Sequence, residues 1–461
     1  MTGRAELSSP GMPDEQGCHA VAARDRESRL IVRLHCAAQS DHLVGLVVDD
    51  AADHVRTGRQ RLDTLDAELR DVLNDPPATD TPAGARQFQA YLACKAHDIL
   101  RIVSETVAHN RLQAKRLRSS GPGYGVPAQI RDRINRQTLA EDVNRVEHPT
   151  GDLTATDLIR YTNALRVREA LTANCEDGAQ PVLLVIYEPQ AFDGRGRAAI
   201  ALGDPDTADN TTVLVPGTHS SVRDGYLTHP DGRNIYHEAV RAAPERTTSV
   251  ILWMGYRTPD GLLDPAVAQP AAARAGGRLL AADIDALTRS HIGASHITVV
   301  GHSYGATTVA DAAASCGMRA DDVVLVGSPG TDLAHSARDF HLPDNGHVYV
   351  GAASSDPITG FGGEPQLRLP RSTVIIGLGD DPAVDGYGST RFKAEPPAPS
   401  VPLSGHNSYF DLGGESLYSI GDIASGHGDA LATHHMTAPH RLRLPAFDPE
   451  RLRPGTSAHR H

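Results

Sequence analysis

The pentapeptide Gly301-His302-Ser303-Tyr304-Gly305 sets a serine between glycines, directly after the β-forming run Ile297 to Val300 and before the Ala/Thr-rich segment Ala306 to Cys316. Strand, sharp turn and helix in that order hold a serine at a strained backbone angle with its oxygen exposed, and flanking glycines are needed where a side chain would strike the neighbouring strand or helix. A serine hydroxyl attacks a carbonyl at neutral pH only when a base takes its proton, and that base needs a carboxylate to orient it. Ser303 therefore asks for an acid and a histidine. In a parallel sheet such groups gather in loops at the carboxyl ends of strands, in the chain order serine, acid, histidine.

Asp356 is the best-placed acid. It follows the strand-like run His347 to Gly351, and Pro357 stops that strand from continuing. Asp332 comes one strand early, and Asp380, Asp381 and Asp385 share a loop crowded with acids; all four stay as rivals. The chain holds 23 histidines, so a single one carries little information. His406 is favoured by its loop, Ser404-Gly405-His406-Asn407-Ser408-Tyr409-Phe410, ahead of the last helix expected over Ser416 to Ala424, with His427 as competitor. His302 adjoins the serine but leaves the turn in another direction, as a packing or substrate-lining residue.

Acyl transfer builds negative charge on an oxygen, which two preorganised backbone N–H groups must meet. One is expected from Tyr304, the residue after the nucleophile. The other is expected from Thr218 in Pro216-Gly217-Thr218-His219, where Gly217 lets the backbone approach and Gly217 and His219 line the substrate. Metal chemistry is not expected: there is no His-Glu-x-x-His, and His434-His435 has no acidic or thiol partner nearby in sequence. No dinucleotide fingerprint follows the first strand and no lysine suits a phosphate loop, so no cofactor is expected.

These residues need a scaffold. Strand-like runs at Val182 to Tyr187, Arg197 to Leu202, Thr212 to Val215, Val250 to Trp253, Ile297 to Val300, Val323 to Val326, His347 to Gly351 and Thr373 to Ile376 alternate with helix-compatible segments, notably Ala266 to Ser290 and Ala306 to Cys316. The first two flank the turn-rich Asp193-Gly194-Arg195-Gly196 and read as a hairpin. The pattern predicts an α/β domain with a mostly parallel sheet covered on both faces, with helices over Gln129 to Val146 and Ala155 to Leu171 laid against it. Upstream, helical apolar spacing runs from Ser28 to Leu73, stops at Asp75-Pro76-Pro77, and resumes with Phe88, Tyr91, Leu92, Ile99, Val103 and Val107 on one face. The expected organisation is a disordered 1–25, a helical bundle over 26–120 entered from the linker Ser119 to Gly123, the α/β domain over 121–435, and a tail over 436–461.

With 461 residues, 40% hydrophobic and 22% charged, the chain has ample length for a large globular core. A formal net charge of -13 argues against nucleic-acid binding. The five cysteines are scattered without a Cys-x-x-Cys, as in a reducing compartment. Met1 to Ala20 lacks the apolar run of a leader and no stretch reaches membrane-span length, so the chain reads as cytoplasmic, with leaderless export left open.

Several motifs together resemble one family: Tyr187-Glu188-Pro189-x-Ala191-Phe192, Gly203 to Asn210 with Val213 to Thr218, Trp253-Met254-Gly255-Tyr256, Gly301 to Gly305, Gly327-Ser328-Pro329-Gly330 and His406 to Phe410. They are similar, over about residues 122–430, to a predicted α/β-hydrolase family found mainly in actinobacteria and formerly classed as a domain of unknown function. The resemblance implies an α/β-hydrolase fold with Ser303, Asp356 and His406 as the triad; it supplies no substrate, and residues 1–118 show no resemblance. The span between Val326 and His347 is too short for a lid, which leaves Val222 to Arg246, Asp260 to Gly277 or the N-terminal helices to cover the site. The expected activity is hydrolysis of a small-molecule or lipid-like carboxylic ester through an acyl-enzyme. An acyltransferase with the same residues, and a silent binding module whose helical half docks a protein partner, are the alternatives.

Overall fold

A computed structural model describes residues 50, 52–74, 81–119, 126–175, 180–261, 264–363, 367–368, 375–396, 404–443, 446–453 and 458–461. The expected disordered N-terminus, the helical run before residue 49 and the glycine-rich linker after Ser119 lie outside these residues. The chain divides into two compact units, 1–125 and 126–461.

In the first unit, helix α1 covers the described residues 52–74. Helix α2 (Pro82–Ser119) runs antiparallel to it, as the Arg61–Glu105 ion pair at 3.0 Å and the stacked rings of His54 and His109 require. The apolar face differs from expectation. Ile102 is buried, whereas Leu92, Val103 and Val107 are exposed. Phe88, Tyr91 and Ile99 are half-buried as expected, and further along Ile102 and Thr106, the latter against Gly58, take the inward positions.

The second unit is built on an eight-stranded sheet. Its strands are β1 (Val182–Glu188), β2 (Arg197–Leu202), β3 (Asn210–Val215), β4 (Thr248–Met254), β5 (His296–His302), β6 (Asp322–Val326), β7 (Val348–Gly351) and β8 (Thr390–Phe392). They lie side by side in the order β1-β2-β4-β3-β5-β6-β7-β8. β2 alone runs against the others, antiparallel to both β1 and β4, and β4, β3, β5, β6, β7 and β8 are parallel. Every residue of β3, β4 and β6 is buried, as expected for parallel strands covered on both faces.

Helices α3 (Ala128–Glu147), α4 (Ala155–Ala173), α6 (Ala271–Ser290) and α7 (Tyr304–Cys316) cover one face; α5 (Asp231–Ala242) and α8 (Glu415–Ala424) cover the other. Adjacent residues of β5 show the alternation, with Val299 packed in the first layer and Val300 in the second. This is the α/β-hydrolase fold. Two expectations are corrected. The last sheet strand is Thr390–Phe392; Ile375–Ile376 instead pairs with Leu367–Arg368 in a separate two-residue ladder. The 436–461 stretch is no loose tail: Thr437 bridges to Phe392, and Asp448 accepts from the buried Arg391 through both carboxylate oxygens, each at 2.9 Å.

Candidate active site

Ser303 sits between β5 and α7 at φ 55 and ψ -128, a left-handed conformation that costs a non-glycine residue roughly 1–3 kcal/mol. The surrounding packing enforces it. A Cβ on Gly305 would lie 2.5 Å from the carbonyl oxygens of both Val215 and Pro216, and the Ser303 N–H donates to Val326 O at 2.9 Å. Only glycine at 305 lets the helix start this close to β3.

His406 stands in a one-turn helix (Ser404–Asn407), and its Nε2 accepts from Ser303 Oγ at 2.8 Å. Its Nδ1 donates to Asp356 Oδ2, also at 2.8 Å. That carboxylate fixes the tautomer, because an ionised carboxylate only accepts. Asp356 caps the short helical turn Pro357–Gly360, taking Ile358 N–H on Oδ1 at 2.9 Å, while Tyr409 OH donates to Oδ2 at 2.8 Å. Burial alone would raise the Asp356 carboxyl; the bonds from His406, Tyr409 and Ile358 outweigh it and hold the group below its ordinary value. Gly327 leaves room for the imidazole, since a Cβ there would come within 3.0 Å of His406 Cε1.

The remaining expected positions surround this chain of bonds. The backbone of Gly217 lies against the serine, with a Cβ there falling 2.6 Å from Ser303 Cβ, and Tyr256 OH pins the loop by donating to Pro216 O at 2.7 Å. Tyr304 heads α7, so its N–H has no intrahelical acceptor; its side chain is turned away and buried, where its hydroxyl accepts from Ala273 N–H at 3.2 Å. His219 has φ 61, donates Nδ1–H to Asp260 O at 2.9 Å and borders the cleft. His302 donates Nε2–H to His406 O at 2.8 Å, and burial beside His406 pushes it down to about 4, so its ring is neutral at physiological pH.

Ser303, His406, Gly217, Thr218, His219 and His302 all line one cleft of about 560 Å³. Tyr226, His229 and Asp231, within the Val222 to Arg246 span named as a candidate cover, stand on its wall, although sequence reasoning singled out none of them individually. His229 and Asp231 pair at 3.1 Å, and the bond to Asp231 raises the His229 imidazole. A larger cavity of about 940 Å³ lies behind Asp356 and includes neither Ser303 nor His406.

Four of the rivals are engaged elsewhere. Asp332 holds Arg274 through two bonds of 2.5 and 3.0 Å, Asp380 pairs with His335, Asp381 with Arg441, and His427 meets Ser425. One further expectation is corrected: His434 does have an acidic partner, Asp422 Oδ2 at 2.8 Å, delivered by folding from the end of α8.

No helix among the described residues is long and apolar enough to cross a membrane. Residues 16–129 match the model of a domain of unknown function, DUF4226, which corrects the absence of any resemblance over 1–118. An uncharacterized protein of Mycobacterium tuberculosis is 41% identical over 441 residues, covering 88% of this chain, and this chain spans 65% of that relative's length. An uncharacterized protein of Mycobacterium bovis is 28% identical over 242 residues, which is 49% of this chain and 88% of the relative. Among solved structures, an arylesterase aligns with 66% of this chain and 99% of its own at 13% identity and a TM-score of 0.32, a likeness that says nothing about activity. Residues 193–366 match the model of the alpha/beta hydrolase family.

Proposed function

We propose that the protein is a serine hydrolase that cleaves a small-molecule or lipid-like carboxylic ester through an acyl-enzyme. The observation that carries this reading is the unbroken line of hydrogen bonds from Ser303 Oγ through His406 to Asp356, each 2.8 Å, on a serine held at positive φ. Ser303 Oγ attacks the ester carbonyl as His406 Nε2 takes its proton. Asp356 orients the ring and stabilises the imidazolium. Charge on the tetrahedral oxygen is met by the N–H groups of Tyr304 and Thr218, the first aided by the positive end of α7. Collapse expels the alcohol, which receives the proton from His406. Water then attacks the acyl-enzyme with the same base and releases the acid.

Exposed Leu100, Val103 and Val107 on α2 support a protein partner for the first unit, and the free thiols Cys94, Cys175 and Cys316 fit a cytoplasmic setting. The test is a p-nitrophenyl ester panel of increasing acyl length on wild type and Ser303→Ala, beside labelling by a fluorophosphonate probe. Wild type turns over and labels, while Ser303→Ala loses at least 10³-fold in kcat and does not label. Equal turnover in both proteins rejects the mechanism.

A further inference from the structure

A second constellation of histidine and carboxylate lies outside the cleft. Asp422 on α8 is 2% exposed and offers Oδ2 to His434 Nδ1 at 2.8 Å and Oδ1 to His461 Nε2 at 2.9 Å. One carboxylate oxygen and the two ring nitrogens all fall within 4.8 Å of one another. A tetrahedral centre with arms of about 2.0 Å sets its ligand atoms about 3.3 Å apart, so these donors need only small side-chain rotations to share one ion.

The groups behind the donors match what a metal-binding histidine requires. Such a ring presents its other nitrogen to a carboxylate, which fixes its orientation. His461 Nδ1 faces Glu238 Oε1 at 3.0 Å. Glu238 belongs to α5 and is itself 2% exposed. Its distance from Asp422 is set by helix packing, because a Cβ on Gly421 would come 2.8 Å from Glu238 Cγ. Tyr418 stacks on His461 with centroids 3.8 Å apart and planes 2° from parallel, which locks the ring plane. Arg241 offsets one of the two buried carboxylates, reaching Glu238 Oε2 at 2.8 Å.

We propose that Asp422, His434 and His461 bind a zinc-class divalent transition-metal ion, with Glu238 as the positioning residue for His461. Two imidazole nitrogens and one carboxylate suit zinc and its first-row neighbours; magnesium and calcium take oxygen donors instead. The ion takes the place of the proton on His461 Nε2, which passes to solvent and leaves that ring neutral with its Nδ1–H on Glu238, while His434 moves its own proton from Nδ1 to Nε2 to free the ligand nitrogen; water completes the coordination. Bound there, it joins α8 to the 430–435 segment and to residues 458–461. The proposal stands apart from the ester chemistry and is read without it.

The full chain, stripped of metal, is titrated with zinc chloride by calorimetry, and its zinc content is measured after desalting. One zinc per chain is expected. His434→Ala removes a side chain that is 38% exposed, so the fold tolerates it, and weakens binding at least 100-fold. Glu238→Gln weakens it 10- to 100-fold. Cobalt in place of zinc gives the visible absorption of a tetrahedral site in wild type and loses it in His434→Ala. No zinc retained by folded wild type, as judged by its circular dichroism, overturns the proposal and leaves His461 as an ion-paired clasp. Equal affinity in wild type and His434→Ala overturns it too, by placing the zinc on other histidines.

Discussion

Two buried carboxylates in the second unit each hold a histidine, and the two pairs differ in what waits at the ring's far nitrogen. His406 has Asp356 on one side and the Ser303 hydroxyl on the other. His461 has carboxylates on both, Asp422 and Glu238. Burial would lower the His461 imidazole, but the two acids outweigh it and push it up to about 9. One arrangement frees a lone pair for a proton in flight; the other holds positive charge in place. Their supports differ as well. The first is assembled by loops at the carboxyl ends of parallel strands, where groups from distant segments converge on a substrate. The second rests on two packed helices, which suits a fixed site.

The largest expected effect separates the pairs. Asp356→Asn leaves the shape of the site but offers an amide to His406 Nδ1, favouring the wrong tautomer, and kcat should fall by about 10⁴-fold. Zinc stoichiometry should not change. A fall of less than tenfold would mean that another acid serves His406, and loss of zinc with turnover would mean that the two constellations are one cooperative structure.

Next in size is the contact that presses the oxyanion loop on the serine. Gly217→Ala puts a methyl 2.6 Å from Ser303 Cβ and 3.0 Å from the His302 carbonyl oxygen, so the loop must retreat. With Thr218 N–H displaced by even 1 Å, kcat should drop about 10²-fold at unchanged circular dichroism. A change confined to KM would remove Thr218 from the oxyanion role and leave Gly217 as a wall of the cleft.

The pairs also differ in how far they could be read from sequence. The turn at Ser303 is local: strand, two glycines and helix sit within a dozen residues, and the strain follows from them. Asp356 was legible because Pro357 ends a strand there, and His406 because chain order calls for a base after the acid. Tyr409 stood in a quoted motif, but its bond to Asp356 spans 53 residues and has no sequence signal. Asp422 is 12 residues from His434 and 39 from His461, with no local pattern to pair them, and the packing of α5 on α8 adds Glu238. The strand Thr390–Phe392 escaped notice because it is three residues long and contains an arginine, whose charge is met by Asp448 across 57 residues. Turns and order are written locally; which buried charge meets which is decided by the assembled core.

The smallest expected effect probes the one oxygen that Asp356 shares. Oδ2 accepts from His406 and from Tyr409 OH, and Tyr409 is itself held by Ala353 N–H at 3.1 Å. Tyr409→Phe keeps the ring and removes the hydroxyl, so the carboxylate loses one donor and its acidity moves back toward the ordinary value. A hydrogen bond to a charged group contributes about 1.5–3 kcal/mol. Because the Asp356 carboxyl is lowered in the folded state, the stability it supplies is present above the ordinary carboxylate range and is lost as pH falls through its folded value. Chemical denaturation at pH 7 should therefore show the variant less stable than wild type by about that amount, with the gap narrowing toward pH 3. Turnover should fall only about tenfold, since His406 keeps its own bond to Asp356. A stability gap that is the same at both pH values would show that Tyr409 acts through packing and its bond to Ala353, and that the carboxylate is held by His406 and Ile358 alone.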